Sequence, residues 1–181
     1  MADRVVMAAY DPEWPARFRR LGERLRSALG DAALRIDHIG STAVPGLAAK
    51  PIVDIQISVA ALEPVEAFRR PLESAGYLWR ADNPDRTKRY FRESPGAPRT
   101  HIHVRRAGSW AEQVALLFRD YLRGHPNDAH RYAEVKRALA AEYTDDRQGY
   151  TDAKSDTIWS ILWSADRWSQ VSGWRPGPSD A

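Results

Sequence analysis

Asp37-His38-Ile39-Gly40-Ser41-Thr42-Ala43-Val44-Pro45-Gly46-Leu47-Ala48-Ala49-Lys50-Pro51-Ile52-Val53-Asp54-Ile55 is the stretch on which the reading of this chain turns. Residues 34–39 have the pattern of a strand, and they run directly into Gly40-Ser41-Thr42. A strand ending in that tripeptide lets backbone N–H groups and two hydroxyls approach an anion, as phosphate sites require. Gly40 permits close backbone approach, and Ser41 and Thr42 supply donors. A short turn over residues 44–47 follows. Residues 52–59 are rich in β-branched side chains and read as a central strand, buried on both faces except near its start. On that strand Asp54 stands among apolar neighbours, where a carboxylate is costly unless it is paired or bound to a metal. Lys50, just upstream, offers a compact positive charge for phosphate. Gly-Ser-Thr alone fits a helix cap as well as an anion site; Asp54 on a buried strand turns the reading toward function.

Outward from this block the chain alternates helices and strands. Residues 5–9 form a short apolar segment suited to an edge strand. Asp11-Pro12 opens a helix, because proline loses little in a first turn whose N–H groups have no partner. Trp14, Phe18, Leu21, Leu25 and Leu29 recur at helical spacing, and Gly30 ends the run. A second amphipathic helix covers residues 62–75 and stops at Gly76. Residues 77–80, 88–92 and 100–105 read as further strands, with Ser94-Pro95-Gly96-Ala97-Pro98 as a hairpin connection. Helical patterns then fill residues 110–123, 126–143 and 151–168. Residues 169–181 have no periodicity and are expected to form a disordered tail. The fold expected is therefore α/β (α+β): one domain over residues 1–168, a mixed sheet flanked by helices, with a helical C-terminal third.

Composition narrows the function. The 181 residues suit one domain, and the chain has no cysteine for disulfides or thiolate metal sites. No run approaches the ~20 apolar residues of a membrane span, and nothing near Met1 resembles a secretory segment, so a cytoplasmic protein is expected. The 27 basic and 24 acidic side chains leave a net charge of +3. So small an excess does not point to nucleic acid, whose binders concentrate charge on one face.

His101 and His103 lie at i, i+2 on a strand and so share a face. With Asp54 they make a two-histidine, one-carboxylate set suited to Mn²⁺, Fe²⁺ or Zn²⁺ rather than to Mg²⁺ alone. The alternative is a pair of structural histidines facing the C-terminal helices. Tyr150 and Lys154 are one helical turn apart and can face one cleft, with Lys154 a partner for phosphate. Arg89 and Arg119 are further cationic candidates, and His38 either orients a ligand or caps its strand. Trp159, Trp163 and Trp168 fall at helical spacing as core or a partner surface. Exposure of Trp163 or Trp168 would argue for a partner such as a second copy of the chain.

The block from His38 to Leu47, followed by Ala49-Lys50-Pro51 and Asp54-Ile55, resembles the signature of the GrpB family. The resemblance extends to Tyr10-Asp11-Pro12-Glu13-Trp14, His101-Ile102-His103-Val104, Leu117-Phe118-Arg119-Asp120-Tyr121-Leu122-Arg123 and Tyr150-Thr151-Asp152-Ala153-Lys154, and so covers residues 10–165. It implies a nucleotidyltransferase-like fold, with a Gly-Ser element after one strand and an acidic pair on the next holding divalent cations, Mg²⁺ or Mn²⁺. Gln56 stands at the second acidic position, so a full two-metal site is not expected.

The function implied is a metal-dependent nucleotidyltransferase-like enzyme acting on a small molecule. Gly40, Ser41, Thr42, Lys50 and Arg89 would bind the nucleotide or other phosphorylated ligand. Asp54, His101 and His103 would hold the metal, with Asp54, His103 and Lys154 as the catalytic set. The alternative, favoured by Gln56, is a non-catalytic domain that binds a nucleotide or a CoA-like ligand and regulates something else. The family's known fusions to dephospho-CoA kinase imply ligands of that kind. Phosphoester hydrolysis at the histidine pair ranks third.

Overall fold

The computed structural model describes residues 4–181. Helix α1 (Glu13–Leu29) buries Trp14, Phe18, Leu25 and Leu29 along one stripe and ends at Gly30, whose φ is +52°. Strand β1 (Arg35–Ile39) pairs antiparallel with β2 (Val53–Val59). Helix α2 (Glu66–Ser74), β3 (Tyr77–Trp79), β4 (Lys88–Glu93) and β5 (Thr100–Arg106) follow. The five strands form one sheet in the order β1-β2-β5-β4-β3, mixed because β2 and β5 run parallel. Four helices complete the chain: α3 (Trp110–Gly124), α4 (Pro126–Glu142), α5 (Arg147–Ala153) and α6 (Ser155–Ser172).

The sheet has two chemically different faces, because side chains alternate along each strand. Ile36, Val53, Ile55, Ile57, Ile102, Val104 and Phe91 pack against Phe18, Leu25 and Leu29 of α1 and Phe68 and Leu72 of α2 as the main core. The opposite face carries Asp37, then Asp54 and Gln56, then His101 and His103, then Tyr90 and Lys88, brought side by side by the register. Asp37 lies opposite Gln56, Asp54 beside His101, Gln56 beside His103, and Tyr90 opposite His103. Helix α3 closes part of this polar face: Ser58 Oγ donates to Glu112 Oε1 at 2.5 Å, and Glu112 Oε2 accepts from Gly108 N–H at 2.8 Å. A second apolar cluster joins Val44, Leu47 and Ala48 to α3, α4 and α6, and so fixes the loop after Gly40 against the helices.

Several elements differ from their sequence expectation. Residues 5–9 lie outside the sheet and make one bridge, Ala8 with Ala49, while Val5 N–H donates to Thr144 O. Helix α2 begins at Glu66 rather than residue 62, since Pro64 disfavours helical geometry at Glu63. The helix expected over 151–168 divides at Lys154 into α5 and α6. In the segment expected as a disordered tail, α6 continues to Ser172, capped by Gly173 at φ +67°. The last residues then lie along β1, with Ala181 N–H donating to Ile36 O and Asp180 paired with Arg119 at 2.8 Å. Among the described residues no helix is long and apolar enough to cross a membrane.

Candidate metal and phosphate site

Between the polar face of the sheet and the C-terminal helices lies a cleft of about 740 Å³, within the ~300–1,000 Å³ of small-molecule sites. Gly40, at its edge, has φ +71°, a conformation that favours glycine. A Cβ at this position would sit 2.7 Å from Asp54 Oδ2 and 3.1 Å from Asp54 Cβ. The missing side chain thus lets the turn after β1 close onto the carboxylate of β2.

Asp54 Oδ1 is 3.3 Å from His101 Nδ1 and 3.3 Å from His103 Nε2. The three ligand atoms lie within 4.8 Å of one another. A metal bonded to nitrogen and oxygen at ~2.1 Å holds neighbouring donors roughly 3.0–3.4 Å apart, the range of both Asp54–histidine separations. Burial pushes His103 down to about 4, against the pull of Asp54. A neutral imidazole is the form that ligates. Burial works to raise the Asp54 pKa, but hydrogen bonds from His101 and His103 outweigh it and hold the carboxyl well below the usual range. His101 Nε2 and His103 Nδ1 are buried with no hydrogen-bond partner among the described residues.

Around this triad the cleft is strongly cationic. Lys50, Lys88, Arg105, Lys136, Arg147 and Lys154 line it, against the carboxylates of Asp54 and Asp85. Two ammonium groups lie over the Tyr150 ring, Lys50 at 4.6 Å and Lys154 at 5.1 Å from its centre. Burial, then Lys154 and Arg147, push Lys50 down to about 8. Lys136 is 2% exposed; its Nζ donates to Ser41 Oγ at 2.9 Å and Ala48 O at 2.7 Å. Burial and the neighbouring cations Lys154, Arg137 and Lys50 push it down to about 7. Opposing charge of this density attracts a polyanion.

The structure sorts the candidates from the sequence. Gly40, Ser41, Lys50, Asp54, His101, His103, Tyr150 and Lys154 meet in the cleft. Thr42 also borders it, but its Oγ1 donates to Ile52 O at 3.1 Å and lies 3.0 Å from His38 Nε2, so the hydroxyl holds the loop. His38 itself is buried, stacked on Phe18 at 4.8 Å, and burial pushes it down to about 3. Arg89 points away from the cleft and pairs with Glu63 at 2.6 Å. Arg119 joins Asp120 at 2.7 Å and Asp180 at 2.8 Å in a buried network. Gln56 is fully buried; its Oε1 accepts from Arg105, and its amide donates to Glu112 O at 3.3 Å.

Lys88, Tyr90, Arg105 and Lys136 were not singled out by sequence reasoning. A signal for Lys136 existed, since it falls in the stripe Ala129, Tyr132, Ala133, Lys136, Ala140 of α4, where a lysine is out of place. Trp159 stacks on Trp110 at 6.3 Å, Trp168 packs on Tyr121, and Trp163 is exposed.

Fold and site together define a mixed α/β domain with an Asp54-His101-His103 cluster of the kind that could hold a metal ion, set in a cationic cleft. A family model described as GrpB protein matches residues 4–163, and the chain belongs to the GrpB family. The UPF0157 protein PA4798 of Pseudomonas aeruginosa is 42% identical over 164 residues, covering 88% of this chain and 67% of that protein. The crystal structure of conserved protein GrpB from Enterococcus faecalis superposes with a TM-score of 0.82 at 32% identity, covering 90% of this chain and 99% of that one. A dephospho-CoA kinase of Mycolicibacterium paratuberculosis is 34% identical over 192 residues, covering 92% of this chain. This chain spans 47% of that kinase's length.

Proposed function

We propose that this protein is a nucleotidyltransferase-type enzyme that binds a nucleotide, or another phosphorylated small molecule, together with a divalent metal in this cleft. The observation that carries the reading is the meeting of Asp54, His101 and His103 with six cationic side chains in one cavity. Asp54 and the histidine pair hold the metal, Mn²⁺ or Mg²⁺. When bound, such an ion acts as a Lewis acid on phosphoryl oxygens. Ser41 and the turn opened by Gly40 contact the phosphates. Lys50, Lys136 and Lys154 neutralise their charge, and Lys88 and Arg105 extend the positive field along the sheet.

A second reading is favoured by Gln56. A neutral amide stands at the position where a second carboxylate would complete a two-metal site, and it is engaged by Arg105 and Glu112. A domain that binds a nucleotide or a CoA-like ligand without turnover fits the same cleft, and the dephospho-CoA kinase relative is in keeping with it.

The two readings separate by thermal stability of wild type and Asp54→Ala with each nucleoside triphosphate, with and without Mn²⁺ or Mg²⁺. Ligand at about 100 times its Kd stabilises by ~2.7 kcal/mol, which is roughly 5–10 °C for a chain of this size. A metal-dependent rise that Asp54→Ala abolishes supports the enzyme reading, and pyrophosphate release with an acceptor completes it. A metal-independent rise that survives the substitution supports the binding domain. No rise with any nucleotide contradicts both.

A further inference from the structure

Nucleotidyl transfer needs a nucleophile and a group to take its proton. The two carboxylates in the cleft are both engaged: Asp54 by His101 and His103, and Asp85 by Lys88 at 3.3 Å and by the Thr87 hydroxyl at 2.6 Å. The proposed metal site therefore leaves no free carboxylate as base.

Across the cleft stands a pair with the required chemistry. Ser41 follows Gly40 directly, at the start of the short 3₁₀ turn Ser41–Ala43, and so lies one residue from the turn that closes onto Asp54. Its Oγ is 2.9 Å from Lys136 Nζ. Lys136 is buried, and among the described residues no carboxylate pairs with it; the charged groups acting on it are the cations Lys154, Arg137 and Lys50. An ammonium so placed is destabilised by desolvation and by like charge, so the neutral amine is accessible near neutral pH. With Lys136 charged, Nζ donates to both Ser41 Oγ at 2.9 Å and Ala48 O at 2.7 Å; once the amine is neutral, the same 2.9 Å separation lets its lone pair accept from the Ser41 hydroxyl while an N–H stays on Ala48 O. A serine beside a desolvated lysine is an activated nucleophile of the Ser–Lys type.

We propose that Ser41 is a nucleophile with Lys136 as its base, and that nucleotidyl transfer proceeds in two steps through a nucleotidyl-serine. The nucleotide as electrophile rests on the function proposed above; the nucleophile and base rest on the pair itself. In the first step Ser41 Oγ attacks the α-phosphorus of a nucleoside triphosphate. The Oγ–P bond forms, the bond to the β-phosphate oxygen breaks, pyrophosphate leaves with the electron pair, and the hydroxyl proton passes to Lys136 Nζ. In the second step the acceptor's hydroxyl or amine attacks the same phosphorus, the Oγ–P bond breaks, and Lys136 returns its proton to Ser41. The acceptor's own proton leaves to solvent. The enzyme ends unchanged.

The test uses a phosphorus electrophile that needs neither metal nor nucleotide. The full chain is treated with a fluorophosphonate probe, from which Ser41 Oγ would displace fluoride, and adducts are mapped by peptide mass spectrometry. Ser41 is expected to be labelled far faster than the exposed Ser27 of the same molecules, an internal comparison that requires no variant. Ser41→Ala should remove the adduct. Lys136→Arg, which keeps the charge but has no neutral form, and Lys136→Met should each slow labelling about 100-fold, the lower end of what a positioned base contributes. Labelling of Ser41 no faster than Ser27, or unaltered in both folded Lys136 variants, would overturn the proposal. With an α-phosphate-labelled nucleoside triphosphate and no acceptor, label is expected to remain on Ser41 as pyrophosphate is released. Fluorophosphonate labelling without nucleotide retention, and without any nucleotide-induced stabilisation, overturns the nucleotide as electrophile while the Ser41–Lys136 pair stands.

Discussion

At position 40 the site tolerates only hydrogen. The backbone there has φ +71°, and a methyl group would press on Asp54 Oδ2 at 2.7 Å. Gly40→Ala should therefore do two things at once. With ψ at −172° the residue lies in a region essentially reserved for glycine, which costs a side-chain-bearing residue ~1–3 kcal/mol and lowers the melting midpoint by about 2–12 °C in a domain of this length. The contact also displaces Asp54 from His101 and His103, so Mn²⁺ binding, followed by titration calorimetry, should weaken by more than tenfold. A variant that loses stability but keeps wild-type Mn²⁺ affinity would show that the close approach does not shape the ligand set. Gly40 and Asp54 were both legible as candidates from the motif around them. Why they belong together was not, because that depends on Ile39 pairing with Asp54 across β1 and β2. Arg89 shows the same limit. It sits next to Lys88, and strand alternation says that one of them faces the cleft, but only the pairing of Lys88 with Arg105 says which.

Among the elements, α4 carries the most information not drawn from the sequence. Its stripe of Ala129, Tyr132, Ala133 and Ala140 packs inward, and Lys136 goes with it, so the lysine is buried by the helix rather than by any property of its own. The consequence is measurable as a dependence of stability on pH. An unfolded lysine keeps its proton to ~10.4, whereas Lys136 is pushed down to about 7 and Lys50 to about 8 in the fold. Between those values the unfolded chain binds more protons than the folded one, so stability rises as pH rises from about 7 toward 10. Tyr90 and Tyr150, pushed up to about 12 by burial, reverse the trend above pH ~10, where unfolded tyrosine loses its proton. Denaturation by urea across pH 7–9.5 should show this rise in wild type and a shallower one in Lys136→Met. Equal slopes would mean that Lys136 stays charged in the fold. The helices themselves were legible where apolar residues recur at three and four, as in α1. The division at Lys154 and the late start of α2 were not, since a register of apolar residues continues through a break that backbone geometry imposes.

For the molecule as a whole, function follows from a sheet with one apolar and one polar face. Alternation along β2 and β5 was readable in the sequence: Ile55, Ile57, Ile102 and Val104 set against Asp54, Gln56, His101 and His103. What the sequence could not supply was the lid. The cationic wall comes from α4, α5 and the junction before α6, and only tertiary packing of Val44, Leu47 and Ala48 against those helices brings Lys136 and Lys154 to the loop after Gly40. The same packing bears on the proposed ligand, because the triad alone would suit a metal ion, while the triad beneath a cationic roof would suit a metal with a polyphosphate. The measurement that tests this most directly is anomalous diffraction from crystals grown with Mn²⁺ and a non-hydrolysable nucleoside triphosphate. The account predicts one manganese peak bounded by Asp54, His101 and His103, with the phosphates lying toward Ser41, Lys50, Lys136 and Lys154. Manganese or phosphate density elsewhere on the molecule, with this cleft filled by water alone, would contradict it.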